Sequence, residues 1–312
     1  MGRSVLVTGT SGFLGAHVCG ALAAAGWRVN AAVRPTSVLD RLEALCPSAR
    51  PVDLDFDLAP DALGGIIRDL NVEAVVHCAA YGVDYRQNDT AQALAFNVGF
   101  TARLVEASAA VGLGQFVHIG TSNEYGLADG PIDETTPLNP VGAYGSSKAA
   151  GLIVARERAK ALGQRFVAAR VFGMYGPLEG SHKFVPQVMA AARDGGALDL
   201  TAGEQIRDYA YVGDVAEACV AMADGAGDDG LVVNLASGRP VTLRALGDAA
   251  AEAAGGRGVL NWGAKPYRPG EPMSVVGVAD LARKTLGWSA RTSLADGMAL
   301  TAKYEPSRSA RL

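Results

Sequence analysis

A glycine-rich segment near the amino terminus constrains the fold of this chain more than any other feature. Gly9, Gly12 and Gly15 directly follow the apolar run 4–8 and precede a helical stretch. Three glycines between a strand and a helix predict a tight turn whose backbone N–H groups approach a pyrophosphate at the positive end of the helix. A tight turn without a ligand is the alternative, and the strand-to-helix context favours a dinucleotide. The predicted cofactor contacts are Gly9, Ser11, Gly12, Phe13, Leu14 and Gly15.

Short apolar runs alternate with longer helical stretches over the first 120 residues, as in successive βαβ units. The runs 5–7 and 75–78 are continuous rather than alternating in polarity, which is typical of parallel strands covered by helices on both faces. We therefore predict an α/β fold, a Rossmann-type doubly wound parallel sheet with a smaller carboxy-terminal lobe. Predicted strands are 4–8, 28–33, 72–80, 115–120 and 165–172, and predicted helices are 16–25, 91–111, 183–192 and 243–254.

The regular alternation ends near Gly173, beyond which glycine and proline interrupt the pattern. We predict that residues 1–171 together with about 206–236 form the nucleotide-binding Rossmann domain. Residues from about 172 to 205 and from 237 to 302 are expected to form the smaller lobe. The polar tail, 303–312, is expected to be frayed.

The composition is that of a folded protein without a strong global charge. Hydrophobic residues make up 49% of the 312 residues and charged residues 19%, which excludes disorder over most of the chain. The formal net charge is −4, so no global field favours nucleic acid or an anionic membrane. No apolar run approaches the about 20 residues that cross a bilayer, and we expect a cytoplasmic protein. The cysteines, Cys19, Cys46, Cys78 and Cys219, are scattered, which favours core thiols in a reducing compartment over disulfides or a metal site.

The end of the second predicted strand distinguishes the two nicotinamide dinucleotides. An acidic residue at this point bonds the ribose 2′-hydroxyl of NAD, whereas an arginine accepts the 2′-phosphate of NADP. This chain has Val33 where the acid is expected, followed by Arg34, with Thr36 and Ser37 as further hydroxyl donors. We therefore predict NADP as the cofactor, with NAD as the alternative if Arg34 is an ordinary solvated arginine.

A tyrosine and a lysine four residues apart form the candidate catalytic pair. Tyr144 and Lys148 stand in a Y-x-x-x-K segment at the start of a predicted helix, so both side chains share one face. A neighbouring ammonium favours the phenolate and is expected to bring the pKa of the phenol from about 10 towards neutrality, where the group serves as an acid or base. Thr121 closes the strand predicted at 115–120, at the edge where ligands of open parallel sheets bind, and its hydroxyl is expected to reach a substrate oxygen.

With these motifs the chain resembles the extended short-chain dehydrogenase/reductase family, and in particular its nucleotide-sugar epimerases, dehydratases and 4-keto reductases. The resemblance covers nearly the whole chain and continues past the predicted cofactor domain. One position departs from the family pattern, since Gly173 stands where an R-x-F-N-x-Y-G-P segment has asparagine. The segments that carry the resemblance are GTSGFLG at 9–15, HCAA at 77–80, Asn97, YGSSK at 144–148, RVFGMYGP at 170–177, RDYAYVGD at 207–214 and YRPGE at 267–271.

The resemblance implies a function and assigns roles to residues. It implies an NAD(P)-dependent oxidoreductase or epimerase that acts on a nucleotide sugar, with the smaller lobe binding the substrate. Thr121, Tyr144 and Lys148 match the catalytic set, and the lysine also binds the nicotinamide ribose. Two arginines are implied to lie beside the substrate diphosphate, and surface salt bridges are their alternative role. The remaining implied contacts are Asp57 and Leu58 near the adenine, Ala79 and Ala80 along the cofactor, and Arg207 and Arg268 at the diphosphate.

A homodimer is the assembly that the resemblance implies. Members of the family commonly pair through two long helices, which here begin near residues 91 and 145. The small residues expected to permit close approach are Ala102, Ala149, Ala150 and Gly151.

The same catalytic set serves three reactions, so neighbouring residues must distinguish them. Dehydratases of the family carry an acid two positions after the catalytic serine or threonine, whereas Ser122 and Asn123 follow Thr121 here and are predicted to contact the substrate. Glu124 comes one position too late and is expected to point away from the sugar as a solvated loop acid. Since Arg34 favours NADPH, we expect a reductase of a 4-keto-6-deoxy sugar. A 4-epimerase is the main alternative, followed by a 4,6-dehydratase and by a regulatory protein that binds a dinucleotide without catalysis.

Overall fold

Strands and helices alternate along the chain in the computed structural model, which describes residues 2–84, 86–128 and 130–304. The strands are β1 (Ser4–Thr8), β2 (Arg28–Val33), β3 (Arg50–Asp53), β4 (Ala74–His77), β5 (Gln115–Thr121), β6 (Phe166–Val171), β7 (Gly173–Tyr175), β8 (Ala197–Leu200), β9 (Ile206–Tyr211), β10 (Val232–Leu235), β11 (Pro240–Thr242), β12 (Val259–Trp262) and β13 (Ser274–Val275). The α-helices are α1 (Phe13–Ala24), α2 (Asp40–Leu45), α3 (Pro60–Asp69), α4 (Thr90–Leu94), α5 (Thr101–Ala110), α6 (Gly142–Leu162), α7 (Phe184–Asp194), α8 (Val212–Ala223), α9 (Leu243–Ala253), α10 (Asp280–Leu286) and α11 (Leu294–Tyr304).

Seven of these strands form one parallel sheet in the order β10-β6-β5-β4-β1-β2-β3. The order reverses beside β1, where Val5 pairs with Val29 of β2 on one side and with Ala74 of β4 on the other. In open α/β sheets this reversal opens the crevice in which ligands bind. The strands β1, β4 and β5 are almost entirely buried, which explains their continuously apolar sequences. The predicted Rossmann-type parallel sheet is thereby confirmed.

Each face of the sheet has its own hydrophobic core. Successive side chains of β1 point to opposite faces. Val5 and Val7 therefore belong to the core that includes α1 and α8, whereas Leu6 belongs to the core that includes α3, α5 and α6. Helices on both faces make the sheet doubly wound, as predicted.

The cysteines are all free thiols, and Cys19, Cys46 and Cys219 are buried in the first of these cores. Cys78 is partly buried and packs against the same core. Within the described ranges, no helix is both long and apolar enough to cross a membrane.

The chain beyond β6 also builds two small sheets and a third apolar core. β9 pairs with β7, β11 and β13, and β8 pairs with β12. Side chains of α7, α9 and α11, among them Val188, Leu246 and Met298, pack together. The predicted helices 183–192 and 243–254 correspond to α7 and α9. The division into two domains stays a prediction; α11 continues to Tyr304, so the tail predicted from residue 303 begins too early, and residues 305–312 lie outside the described ranges.

The helix predicted at 91–111 contains a π-helical segment, Ala95–Phe100, between α4 and α5. This wider turn carries the buried side chain of Asn97. Helix α6 packs directly against the π-helix because Gly151 has no side chain, and a Cβ at that position would clash with the Asn97 carbonyl oxygen. Gly151 therefore sets how closely α6 approaches the rest of the fold.

Gly151→Ala is expected to lower the free energy of unfolding by about 1–3 kcal/mol, because the added methyl group meets backbone rather than a flexible side chain. Gly65→Ala in α3 is the matched control, since nothing lies within 4 Å of a Cβ at that position. Removing the glycine there is expected to stabilise the protein by about 0.5–1 kcal/mol. Chemical denaturation measures both effects, and a Gly151→Ala variant as stable as the parent chain would contradict the close contact.

Candidate active site

Three residues predicted to form the catalytic set meet where β5 and α6 come together. Thr121 is the last residue of β5, and Tyr144 and Lys148 lie one turn apart on α6. The first turn of α6 packs closely against the segment after β5. A Cβ on Gly145 would lie only 2.7 Å from the Asn123 carbonyl oxygen, so this approach requires glycine. The side chains of Thr121 and Tyr144 interact, so the strand end and the helix present their hydroxyl groups to the same point.

The glycine turn lies between β1 and α1 and is held by close backbone contacts. Gly9 has a φ of +74°, and a Cβ on it would lie 2.7 Å from the backbone nitrogen of Ala79 at the end of β4. A Cβ on Gly15 would clash with the Gly9 carbonyl oxygen. The Gly12 N–H donates a hydrogen bond of 3.0 Å to that same carbonyl. Glycine is therefore required at both ends of the turn for steric reasons.

The amino terminus of α1 fits an anionic cofactor. Gly12 caps the helix without a side-chain hydrogen bond, and no acidic residue occupies the first turn. The free N–H groups and the positive end of the helix dipole suit the pyrophosphate of a dinucleotide. Of the predicted contacts here, Ser11 and Phe13 are partly exposed, whereas the Leu14 side chain belongs to the core and leaves only its backbone to the site.

Sequence reasoning missed Arg41, which lies on α2. Its Nη1 donates to the Ser11 carbonyl oxygen at 3.1 Å and its Nε to the Leu178 carbonyl oxygen at 2.7 Å. The guanidinium thus ties the phosphate-binding turn to the segment after β7. No motif signals this residue, since the contact depends on how α2 packs.

The residues predicted at the adenine end lie at the ends of β2 and β3. Arg34 is exposed, and its guanidinium lies 5.9 Å from the centre of the Phe56 ring. Asp57 is exposed, and Leu58 is partly buried against the core. Asp53, which the sequence did not single out, pairs with Val33 across the sheet.

Lys148 is 2% exposed and its ammonium is bonded inside the protein. Nζ donates to the Ile119 carbonyl oxygen at 2.7 Å and lies 3.5 Å from Nε2 of His118. Burial lowers the pKa of Lys148 to about 8, although the nearby Glu124 carboxylate opposes this effect. The lysine therefore changes its charge close to physiological pH.

The pKa of Tyr144 differs from the value expected from the sequence. The pKa of its phenol is raised to about 12, chiefly by burial of the hydroxyl, while the hydrogen bond with Thr121 lowers the pKa in part and the Glu124 carboxylate adds to the rise. The residue as a whole is partly exposed. The expected fall towards neutrality is wrong for this structure, because the loss of solvation outweighs any attraction to the ammonium. Tyr144 therefore keeps its proton at neutral pH.

Asn97 links two segments beside the site through hydrogen bonds. Its amide oxygen accepts a hydrogen bond from the Tyr81 N–H at 2.8 Å, and its amide nitrogen donates to the Tyr81 carbonyl at 2.9 Å. The same nitrogen donates to Ser147 Oγ, which in turn bonds the Tyr144 carbonyl oxygen. The π-helix thus ties the segment after β4, which contains Ala79 and Ala80, to the turn of α6 that carries Tyr144.

Glu124 does not behave as a solvated loop acid. It is fully buried, accepts the Thr121 N–H on Oε1 at 2.9 Å and pairs through Oε2 with Arg170 Nε at 2.8 Å. The prediction of a solvated role is wrong because Arg170 on β6 supplies a buried partner. The pair leaves partly exposed Ser122 and exposed Asn123 as the residues that directly follow Thr121.

The two arginines proposed for a diphosphate lie on β9 and in the turn before β13. Arg207 pairs with Glu271 through Nη2 at 2.6 Å, and the Glu271 N–H donates to the Arg268 carbonyl oxygen at 3.0 Å. The structure thus brings the two residues close together in the fold, with the Arg268 side chain exposed.

A steric constraint explains why glycine replaces the family's asparagine at position 173, at the start of β7. A Cβ on Gly173 would lie 2.5 Å from the Asp208 carbonyl oxygen of the neighbouring strand.

A parallel sheet with a glycine turn after its first strand and a Thr–Tyr–Lys set at a neighbouring strand end defines an extended short-chain dehydrogenase/reductase. The chain belongs to the NAD dependent epimerase/dehydratase family, whose model matches residues 5–236.

Three relatives show how close the similarity is. A UDP-glucose 4-epimerase of Azospirillum brasilense is 31% identical, over 96% of this chain and 90% of that protein. The crystal structure of a UDP-glucose 4-epimerase from Thermotoga maritima with UDP-glucose has a TM-score of 0.87 and 25% identity, covering 97% of this chain and 98% of the other. A dTDP-glucose 4,6-dehydratase from Streptomyces venezuelae with bound NAD has a TM-score of 0.85 and 26% identity, covering 97% and 96%.

The two histidines beneath Lys148 predict sensitivity to acid. Burial lowers the pKa of His77 to about 3 and holds that of His118 well below its ordinary value, so both are neutral when folded. In the unfolded chain both titrate near 6.5, so below about pH 6.5 the unfolded chain binds more protons and stability is lost. We expect the free energy of unfolding to fall by about 1.4 kcal/mol per pH unit for each histidine below that pH.

Denaturation between neutral and mildly acidic pH measures this slope. His118→Gln should make the slope shallower, whereas His182→Gln, a change at an exposed site, should leave it unchanged. An equal slope in the parent chain and in His118→Gln would mean that His118 keeps its ordinary pKa.

Proposed function

We propose that the protein is an NADPH-dependent reductase of a nucleoside-diphosphate-linked 4-keto-6-deoxy sugar. The observation that carries this proposal is the end of β2, where Val33 and Arg34 stand in place of an acid. A reductase draws on a freely exchanging NADPH, whereas an epimerase returns the hydride to its substrate and retains NAD. The fold serves both, so the choice depends on residues at the site.

The surroundings of Arg34 support the proposed binding of a 2′-phosphate. Its side chain is exposed beside the Phe56 ring, and within the described residues no carboxylate lies within salt-bridge distance of it. A guanidinium offers two parallel donors to phosphate oxygens. The Arg34 N–H bonds Ser37 Oγ at 3.0 Å and so orders the turn that follows β2.

In the proposed reaction Tyr144 donates its proton to the sugar oxygen that becomes an alkoxide. NADPH, when bound, supplies the hydride that reduces the keto carbon. Tyr144 enters the reaction protonated, in agreement with its raised pKa. Thr121 bonds the same oxygen through its hydroxyl, and the Lys148 ammonium stabilises the phenolate that Tyr144 becomes. We also assign to Lys148 a hydrogen bond to the nicotinamide ribose.

For the substrate we propose that Arg207 and Arg268 bind the diphosphate and that Ser122 and Asn123 contact the sugar. Arg268 has an exposed side chain in the same turn as Glu271. Arg207 already has Glu271 as a partner, so a diphosphate must share or displace that carboxylate. A remote anchor of this kind positions the keto carbon as well as adding affinity.

A nucleotide-sugar 4-epimerase with NAD is the second candidate. The relative at 31% identity is a UDP-glucose 4-epimerase, and Asp53 offers a carboxylate on the strand beside the end of β2. Against it, the end of β2 has Val33 and Arg34 where an acid would bond the ribose of NAD. A 4,6-dehydratase is less well supported, because Ser122 and Asn123 replace the acids that the reaction needs and Glu124 forms a salt bridge with Arg170.

A regulatory protein without catalysis is also less well supported, because such a protein does not require Thr121, Tyr144 and Lys148 to lie together.

We keep the homodimer as a proposal, with a change to the residues at its interface. Ala149 and Gly151 face the interior of the protein, so the prediction that they meet a partner is wrong. Ala102 and Ala150 are partly exposed. Helix α6 instead exposes Ile153 by 52%, which adds apolar surface for a second copy.

Arg34→Ala is expected to lower the affinity for NADPH by about ten- to a hundred-fold and to leave that for NADH almost unchanged, because a charge-assisted hydrogen bond contributes about 1.5–3 kcal/mol. Arg257→Ala, at an exposed position on the other lobe, is the control. Fluorescence titration with both nucleotides gives the affinities. A parent chain that binds NADH as tightly as NADPH would remove the main support for the reductase and favour the epimerase.

The reaction itself is tested by oxidation of NADPH with UDP-, dTDP-, GDP- and CDP-linked 4-keto-6-deoxy sugars. We expect turnover of at least one of them and none of the free sugar. Tyr144→Phe should reduce the rate to below about 10% of the parent value without loss of substrate binding, because only the proton donor is removed. Tyr304→Phe, at an exposed position on α11, is the control. Failure with all four sugars, together with interconversion of UDP-glucose and UDP-galactose, would replace the reductase by the epimerase.

A further inference from the structure

Glu124 is a fully buried carboxylate with both oxygens engaged. Oε1 accepts the Thr121 N–H at 2.9 Å, and Oε2 accepts Arg170 Nε at 2.8 Å. The Thr121 hydroxyl accepts in return from the backbone at the start of the same turn, the Asn123 N–H at 3.3 Å. Glu124 and Thr121 therefore hold each other in a reciprocal capping arrangement at the end of β5.

Arg170 continues the network away from the crevice. Its Nη1 donates to the Tyr125 hydroxyl at 3.0 Å, and that hydroxyl donates to Asn234 Oδ1 at 2.7 Å. The Asn234 N–H donates to Glu134 Oε1 at 2.7 Å. The network thus has two carboxylates, Glu124 at the catalytic end and Glu134 at the far end, on either side of one guanidinium.

The charges around Glu124 come from four elements. Arg170 on β6 is its direct partner, and Tyr144 and Lys148 on α6 feel its charge. Further titratable groups are His118 on β5, His77 and Cys78 at the end of β4, and Tyr125 and Glu134 in the network. Glu124 raises the pKa of both Tyr144 and Lys148. Glu134 has no such effect on either, which makes it a natural control.

We propose that Glu124 is a positioning residue, whose buried carboxylate fixes the strand end that carries Thr121 and keeps the proton of the site on Tyr144. It is fully buried and touches neither substrate nor cofactor. During the reaction the Tyr144 O–H bond breaks and a new O–H bond forms on the sugar oxygen, while Glu124 takes no part in the bond changes and acts through its charge and its hydrogen bond to the Thr121 N–H. The inference rests on the proposed function for the direction of proton transfer, but not for the effect of Glu124 on Tyr144.

Glu124→Gln isolates the charge. The glutamine side-chain oxygen still accepts the Thr121 N–H, while the negative charge is lost. Glu134→Gln makes the same chemical change at the far end of the network. With tyrosine labelled by carbon-13 at the ring carbon that bears the hydroxyl, NMR follows each phenol, and Tyr144→Phe identifies the signal of Tyr144.

We expect the pKa of Tyr144 to fall by about one pH unit or more in Glu124→Gln and to stay unchanged in Glu134→Gln. This measurement needs no substrate, so it stands whether the enzyme is a reductase or an epimerase. An unchanged Tyr144 signal in Glu124→Gln, or an equal fall in both variants, would overturn the proposal.

Two further variants cover folding and positioning. The double variant Glu124→Gln with Arg170→Gln leaves no unpaired buried charge, and the pKa of Tyr144 is expected to fall in it as well; a parent-like value would overturn the proposal even if the single variant does not fold. With an active substrate, Glu124→Ala, which also removes the acceptor for the Thr121 N–H, should lower kcat about ten-fold below Glu124→Gln at the pH optimum of each, with KM little changed. Equal kcat values in the two variants would refute the positioning of Thr121.

Discussion

The close packing of α6 against the end of β5 and against the π-helix Ala95–Phe100 is the constraint on which the site depends. The helix approaches at two points where a Cβ would meet backbone, Gly145 and Gly151. Between these points Lys148 reaches the Ile119 carbonyl oxygen. A buried ammonium is tolerated only if it is hydrogen-bonded, so the contact that orients the lysine also makes its burial possible. The proximity of Tyr144 to Thr121 follows from this docking and not from a flexible loop.

Buried charge is the second consequence of that packing. The Glu124–Arg170 pair lies inside the protein, where solvent screens it little. Because Thr121 and Arg170 together bond both oxygens of the carboxylate, the charge has the hydrogen bonds that a buried ion needs. The same charge acts on Tyr144 and Lys148. The proton affinity of Tyr144 is thus set partly by a residue that is fully buried.

The features that local sequence determines were predictable. The bounds of β1 and β2 match the prediction, and the glycine turn lies where the three glycines indicate, because a tight turn and a buried strand each have a local pattern. The partner of Glu124 has no such pattern, since Arg170 is 46 residues away and the two meet only because β5 and β6 are neighbours. For the same reason the contacts of Arg41 and the raised pKa of Tyr144 were not predicted. Sequence spacing places Tyr144 beside Lys148, but the pKa of the phenol depends on solvation and on charges from other elements.

This dependence bears on how one catalytic set serves opposite reactions. A carboxylate near Tyr144 destabilises the phenolate, so it disfavours proton transfer away from the tyrosine and favours proton transfer back to it. A positive charge on an oxidised nicotinamide would favour the phenolate of Tyr144, and a neutral reduced ring would not. The protonated form of Tyr144 is therefore favoured when the cofactor is reduced, and the deprotonated form is favoured when the cofactor is oxidised. The site already contains the charges of Glu124, Lys148 and Arg170. When a substrate receives both a hydride from the cofactor and a proton from Tyr144, the net charge of the enzyme with its bound ligands does not change. Glu124 shifts that balance towards protonated Tyr144, which keeps the proton on the phenol and makes the phenol a weaker acid.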